Sequence, residues 1–472
     1  MKAGRRARQD EAGVDSVGPE VDDIPSQAEA EIRAFLDDSG PPSALGREEL
    51  EAMAAPRLIT EIPGPRTRAL IEADHKVTSP SLPRAYPFAP ARGAGSMIED
   101  VDGNVFLDFN AGIAVCSTGH AHPKVVRAIE EQAERLLHYS GGDFYLPIYA
   151  EVCAELDRIT DVGGPARTFL TNSGTEAVEA AIKLARNSTG RQYLLAFIGG
   201  FHGRSYGSVS LTASKAKYHA GFGPLLPGVL HAPFGVSISE FIEPVIFKRL
   251  VPPDEVAAVV VEPIQGEGGY VVPPDGWLAD LREMCSAHGI LLIADEIQSG
   301  MGRTGRMWAY EHEGITPDIV LGGKGIASGM PLGAMIARHD VMTWDRGAHG
   351  STYAGNPVCC AAALATIGLL ESELIDNAAD VGSSLMESLG NLRAREPLIR
   401  DIRGRGMMIG VDFEDGETAD AVEMACLRRG LLVLRAGDSA VRIAPPLVLR
   451  HDQARVGVRV FEEACAEVAG TS

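Results

Sequence analysis

Residues 291–330 read LLIADEIQSGMGRTGRMWAYEHEGITPDIVLGGKGIASGM. Two apolar runs, Ile290–Ala294 and Asp318–Leu321, have the length of short strands, and each is closed by residues with chemistry to do. The first run ends at Asp295-Glu296 and the second at Gly322-Gly323-Lys324. Continuous apolar runs of this kind suit parallel strands covered on both faces. The segment between them is rich in glycine and charge and need not be core. In open parallel sheets ligands sit at the carboxyl ends of the strands. An acid and a lysine delivered there together can hold one flat cationic group. Alone the pair is weak evidence, because an Asp just past a strand is commonly a turn or cap residue and a Lys beside glycines is commonly solvated.

Outward from this stretch, helices and strands alternate between Ala150 and Met335. Helix Ala150–Ile159 leads to strand Thr168–Thr171, and helix Glu176–Asn187 leads to strand Tyr193–Phe197. Further strands are read at Ala257–Val261 and Gly333–Ala337. That alternation is the mark of an α/β protein with a mainly parallel sheet. Beyond Asn356, helix Ala361–Leu370 and short strands at Gly410–Phe413, Leu431–Leu434 and Ala440–Ile443 read as a smaller α+β domain. Upstream, Gly95–Phe109 alternates around Asp102-Gly103 as a hairpin. The proline-rich span from Pro63 to Pro90 reads as an extended arm. Residues 1–50 mix both charges with few apolar positions and read as a partly disordered extension, with amphipathic pieces at Ser26–Leu36 and Arg47–Met53. The division expected is therefore an extension over 1–50, an arm and part of the small domain over 51–110, a large domain over 111–356 and a small domain over 357–472.

The 472 residues carry a net charge of −21, which argues against a nucleic-acid surface. No apolar run approaches the length of a membrane span, and a soluble cytoplasmic protein is expected. The seven cysteines are odd in number and scattered without a CxxC pair, so reduced thiols are expected rather than a disulfide framework or zinc site. Cys359-Cys360 lie in an Ala-rich helical stretch and read as buried small hydrophobes. His120 and His122 have metal-like spacing but no acidic or cysteine partner nearby, and they read as turn residues before the helix Lys124–Leu137. No metal is expected.

Other loops after strands add donors. Thr171-Asn172-Ser173-Gly174-Thr175-Glu176 opens a helix, where free N–H groups and the helix dipole favour an anion by roughly 0.3–2 kcal/mol. Ser173 and Glu176 stand equally well at the spacing of an ordinary capping box. In Gly199-Gly200-Phe201-His202-Gly203-Arg204, the aromatic can stack on a ring and the arginine can grip a carboxylate with both its nitrogens. Local packing is the alternative for Phe201. Glu267 lies in the glycine-rich loop after Val261, and Gln298 stands three residues beyond Asp295, placed to donate to a ring oxygen. Gly322-Gly323-Lys324-Gly325 lacks the spacing and the Ser/Thr of a nucleotide-binding P-loop. Pyridoxal phosphate needs the lysine–carboxylate pair: a lysine for the Schiff base and an acid against the pyridinium nitrogen.

Together these motifs resemble class III aminotransferases, pyridoxal-phosphate enzymes of fold type I. They are similar to the 4-aminobutyrate, ornithine and acetylornithine branch, and most of all to an archaeal-type subgroup that includes amino-acid racemases. The matching pieces are NAGIAV…TGHAHP, TNSGTEAVEAAIKLAR, GGFHGR, EPIQGEGG, ADEIQSGMGRTG, GGKGIASGMPLGA, STYAGNP and VRIAPPL, in one order from about Pro63 to Leu449. The resemblance implies a large domain with a mainly parallel seven-stranded sheet and a smaller α+β domain. It makes Lys324 the Schiff-base lysine and proton carrier, and Asp295 the partner of the ring nitrogen. It assigns Ser173, Gly174 and Thr175 to the phosphate, Phe201 to the ring face with His202 beside it, and Gln298 to the phenolic oxygen. Thr352 would reach the phosphate bound to a neighbouring subunit, implying a homodimer or a tetramer of dimers with shared sites. Arg442 would clamp an α-carboxylate, with Glu267 pairing to it when that carboxylate is missing. Arg204 would take the distal carboxylate, and Ile113 would line the pocket wall.

The function implied is transfer of an amino group from an ω-amine or amino acid to 2-oxoglutarate. A racemase or epimerase on the same scaffold is the alternative, motivated by LPRAYPFAPARGAGSMIEDVDG and HYSGGDFY. It needs a second acid–base group opposite Lys324, which the sequence does not identify. A catalytically silent binding protein is disfavoured by the intact Lys324, Asp295 and Glu267.

Overall fold

A computed structural model describes residues 45–470. The stretch Ser26–Leu36 and most of the 1–50 extension lie outside the described residues. Of the second amphipathic piece, Arg47–Ala52 is a helix.

The apolar runs assemble into one seven-stranded sheet. Its order is Ala166–Thr171, Gly333–Arg338, Ile319–Gly322, Leu291–Asp295, Val256–Val261, Tyr193–Phe197, Val229–Ala232. Gly333–Arg338 is antiparallel to both its neighbours, and the other strands share one direction. The runs are unbroken because both faces are covered. Ile293, Val260 and Leu321 pack with the helix Gly174–Thr189 on one side, while Leu292, Val259 and Val320 pack with Leu281 and Met284 of the helix Trp277–His288 on the other. Val229–Ala232 escapes a sequence reading because it is only four residues long and half-buried at the sheet edge.

Two four-stranded sheets complete the fold. One runs Asp401–Arg405, Met408–Asp412, Ala440–Ile443, Leu434–Ala436. The other joins Pro90–Ala94, Met97–Asp100 and Val105–Asp108 to Leu431–Leu432, which pairs in parallel with Leu107 and Asp108. The single strand read at Leu431–Leu434 is thus divided between two sheets.

Three expectations are corrected. The arm is not extended throughout, because Pro65–Val77 forms a 13-residue helix with proline in its first turn. Its N-cap, Gly64, has no side chain to cap with. Asp102 of the hairpin turn supplies the cap from afar, accepting from Arg66 N at 2.7 Å and Thr67 N at 2.9 Å. The segment between the two strands first described is core, with Glu296, Arg303, Trp308 and Tyr310 all buried. Its polar groups are met inside: Glu296 accepts from Ser299 Oγ at 2.6 Å and from Tyr310 N at 2.8 Å. Finally, the helical stretch Pro357–Arg393 is by length and composition apolar enough to cross a membrane, with mean hydropathy 1.8. It is a core helix instead: its most apolar window is 61% buried, and Cys359 and Cys360 sit inside.

Candidate active site

The five strands that share a direction with Leu291–Asp295 end at one edge of the large sheet, so the loops that follow them converge there. Asp295 closes its strand and is 3% exposed. Its Oδ2 lies 2.7 Å from His202 Nδ1, and its Oδ1 accepts from Ile297 N at 3.2 Å. Burial disfavours a charged His202, yet the hydrogen bond and charge of Asp295 outweigh it and raise the imidazole pKa. His202 therefore stands behind Asp295, buried, as its hydrogen-bond partner.

Lys324 follows the neighbouring strand through Gly323 and adopts φ +43°. Desolvation lowers its pKa, and the positive Arg442 adds to the effect, against the opposing pull of Asp295, Glu262 and Glu267. Among the described residues its amine has no hydrogen-bond partner. Ile297 wedges the Lys324 turn against the start of the helix Gly174–Thr189. A Cβ on Gly174 would stand 2.8 Å from the Ile297 side chain, and one on Gly323 would stand 3.1 Å from it. Glycine at both places lets the lysine turn and the helix N-terminus approach each other.

At that N-terminus Ser173 accepts from Glu176 N at 3.4 Å. The reciprocal bond is displaced one residue outward, since Glu176 accepts from Asn172 N at 2.9 Å. The Thr175 hydroxyl is turned to Ser205 and Ser208, at 2.7 and 2.6 Å, and leaves its backbone N–H as the donor for an anion. Ser351 accepts from Asn172 Nδ2 at 3.1 Å, and the adjoining Thr352 is exposed on this chain.

Phe201 and Tyr218 meet edge-on with centroids 5.6 Å apart, and the exposed Arg204 lies over Tyr218 at 5.0 Å and over Phe201 at 5.9 Å. Gln298 accepts from the Tyr270 hydroxyl at 2.9 Å. From the four-stranded sheet that holds Met408–Asp412, buried Arg442 in strand Ala440–Ile443 reaches Glu267 Oε2 with its Nη1 at 3.4 Å. The other Glu267 oxygen lies 3.2 Å from Lys215 Nζ and 3.2 Å from the Tyr218 hydroxyl. Burial alone would raise the Glu267 pKa, but Arg442 and Lys215 bring it below the ordinary value. Ile113, 42% exposed, lines a cavity of about 750 Å³ with Tyr86, His120 and Leu434. His120 itself is held by Asp108 at 2.7 Å, and His122 caps its helix at Lys124 N.

Four site residues escaped the sequence reading. Glu262 accepts from Phe201 N and from Gly266 N, both at 2.9 Å, so one carboxylate ties together the two loops that wall the site. Burial pushes it up to about 7. A signal existed: Val261 pairs with Ala294, so Glu262 ends its strand beside Asp295. Tyr270, Lys215 and Tyr218 carried no motif, since loop conformation alone brings them in.

The donor set suits pyridoxal phosphate. It offers a buried carboxylate at Asp295, an amine at Lys324 without a hydrogen-bond partner among the described residues, an aromatic ring at Phe201 and the N-terminus of a 16-residue helix, the groups that a ring nitrogen, a Schiff base, a ring face and a phosphate require. Residues 81–465 match the family Aminotransferase class-III. The chain is 38% identical over 445 residues to an alanine/serine racemase from Pyrococcus horikoshii, covering 88% of this chain and 94% of that one. It is 43% identical over 390 residues to an acetylornithine aminotransferase from Methanopyrus kandleri, covering 81% and 94%. It is also 37% identical over 442 residues to a 4-aminobutyrate aminotransferase from Mycobacterium tuberculosis, covering 88% and 98%. Among solved structures, a Toxoplasma gondii ornithine aminotransferase with partial occupancy of pyridoxal phosphate superimposes with a TM-score of 0.80 at 31% identity, covering 86% and 95%. All the site residues described here lie within the matched span, and the chain is an enzyme of the class III aminotransferase family.

Proposed function

We propose that the protein binds pyridoxal phosphate and moves an amino group from an ω-amine or amino acid of the 4-aminobutyrate or ornithine type to 2-oxoglutarate. The observation that carries this reading is the Glu267–Arg442 pair at 3.4 Å. A transaminase that takes its amino group from an ω-amine and gives it to 2-oxoglutarate must accept two substrates in turn, the second with a carboxylate beside the reacting carbon and the first without. A guanidinium that is masked by a movable carboxylate serves both. An enzyme that inverts one amino acid has no use for such a switch.

The bound cofactor would supply the electron sink for the carbanion. The chain's own groups do the rest. Asp295, backed by His202, keeps a proton on the ring nitrogen. Lys324, with a lowered pKa, accepts and returns the substrate proton. Phe201 covers one face and excludes water, the Gly174 and Thr175 N–H groups hold the phosphate, and the Thr352 hydroxyl is supplied by a second copy of the chain. Arg204 orients a distal carboxylate.

The racemase reading rests on the Pyrococcus horikoshii relative. One experiment separates the two. Purified protein with pyridoxal phosphate is given L-ornithine, L-alanine, L-leucine or 4-aminobutyrate, with and without 2-oxoglutarate, and products are resolved on a chiral column. Glutamate formed only with the keto acid is the expected result. A D-isomer accumulating without keto acid overturns it.

A further inference from the structure

We infer that Lys215 and Tyr218 form a second seat for the Glu267 carboxylate, and that this seat selects a dicarboxylic 2-oxo acid as amino acceptor. The inference rests on the aminotransferase reading and concerns where Glu267 goes when a substrate carboxylate claims Arg442.

Glu267 is divided between two cations. Oε2 faces Arg442 Nη1 at 3.4 Å, while Oε1 is 3.2 Å from both Lys215 Nζ and the Tyr218 hydroxyl. The Arg442 contact is the longest of the three. The backbone at this point is pinned, because the Glu267 carbonyl accepts from Gly437 N at 2.7 Å. A change of partner is therefore a side-chain rotation and requires no loop opening. A carboxylate driven from Arg442 with no other cation nearby would be left partly buried and unpaired, an expensive state. Here it keeps Lys215 and Tyr218, and Arg442 is released at low cost.

The second seat is also coupled to the other end of the substrate. The Tyr218 ring that carries the hydroxyl lies under the Arg204 guanidinium at 5.0 Å. Arg204 has no ion-pair partner among the described residues. A ligand with carboxylates at both ends would engage Arg442 and Arg204 together while Glu267 rests on Lys215. A monocarboxylate ω-amine would use Arg204 alone and leave Glu267 on Arg442. Lys215 is thus a specificity-determining residue, one that acts by positioning Glu267.

The test is Lys215→Met, with Lys215→Arg as the conservative control. Without Lys215, Glu267 holds Arg442 harder, so the KM for 2-oxoglutarate rises about tenfold while that for 4-aminobutyrate rises far less. Glutarate, which has both carboxylates but no reacting group, is titrated calorimetrically into the cofactor-loaded protein. Its Kd is expected to weaken about tenfold in Lys215→Met and to recover in Lys215→Arg. Parallel weakening of both substrates, or glutarate affinity equal in wild type and Lys215→Met, overturns the second seat. If wild-type protein forms no glutamate from any donor, the aminotransferase reading falls, and the glutarate titration alone then decides the seat.

Discussion

At the scale of single residues, the site depends on charges that burial alone would not allow. Asp295 is buried with His202 hydrogen-bonded behind it, its imidazole pKa raised by that carboxylate, and Glu262 sits close enough to feel both. A carboxylate facing a ring cation at about 4 Å is worth on the order of 4 kcal/mol at an effective dielectric near 20. Asp295→Asn keeps the shape and a hydrogen bond but loses the charge, so kcat is expected to fall by about 10³. Single-turnover kinetics with 4-aminobutyrate would measure it, and a loss under tenfold would mean that Asp295 does not face the ring nitrogen. Asp295, Lys324 and Glu267 were legible in the sequence because each closes or follows a buried strand. Glu262 had the same signal. Lys215 and Tyr218 had none, because they lie in a loop whose path is set by contacts distant in sequence.

At the scale of the element, residues 296–310 show how polar sequence becomes core. Glycine and charge there read as a segment that need not be core, yet Glu296 is fully buried and receives a hydroxyl and backbone N–H groups. Burial pushes its pKa up to about 7. The folded state thus binds a proton that the unfolded chain has already lost. A raised pKa of this kind gives stability that is complete below the unfolded value and is lost as pH rises through the folded value. Glutamine mimics the neutral acid. Between about pH 4.5 and about pH 8, stability is expected to shift in favour of Glu296→Gln by on the order of 3 kcal/mol. Urea unfolding at both pH values checks this, and a constant difference would show that Glu296 is ionised in the fold. The helix Pro65–Val77 makes a related point, since the cap that fixes it comes from Asp102 in another element.

At the scale of the whole molecule, the site is a junction. The large sheet contributes Asp295 and Lys324, while the sheet holding Ala440–Ile443 contributes Arg442. Thr352 is exposed on its own chain, next to Ser351, which bonds Asn172 in the turn that opens the helix Gly174–Thr189. If a second copy donates Thr352, mixing two inactive variants should rebuild a site. Lys324→Ala and Thr352→Ala chains refolded together would form hybrids with one intact site. Activity is expected to return to roughly a quarter of wild type for statistical pairing of dimers. Absence of recovery in a confirmed hybrid would place Thr352 in its own subunit's site or outside any site.

The sequence by itself determined the order of helices and strands, the buried strands and the residues at their carboxyl ends. These follow from local periodicity and from the rule that parallel sheets are covered on both faces. Tertiary structure decided the antiparallel course of Gly333–Arg338, the division of residues 431–436 between two sheets, and the burial of residues 296–310. It also decided which cations share Glu267. Each of these depends on partners far away in the chain, and a residue's own neighbours in sequence carry no record of them.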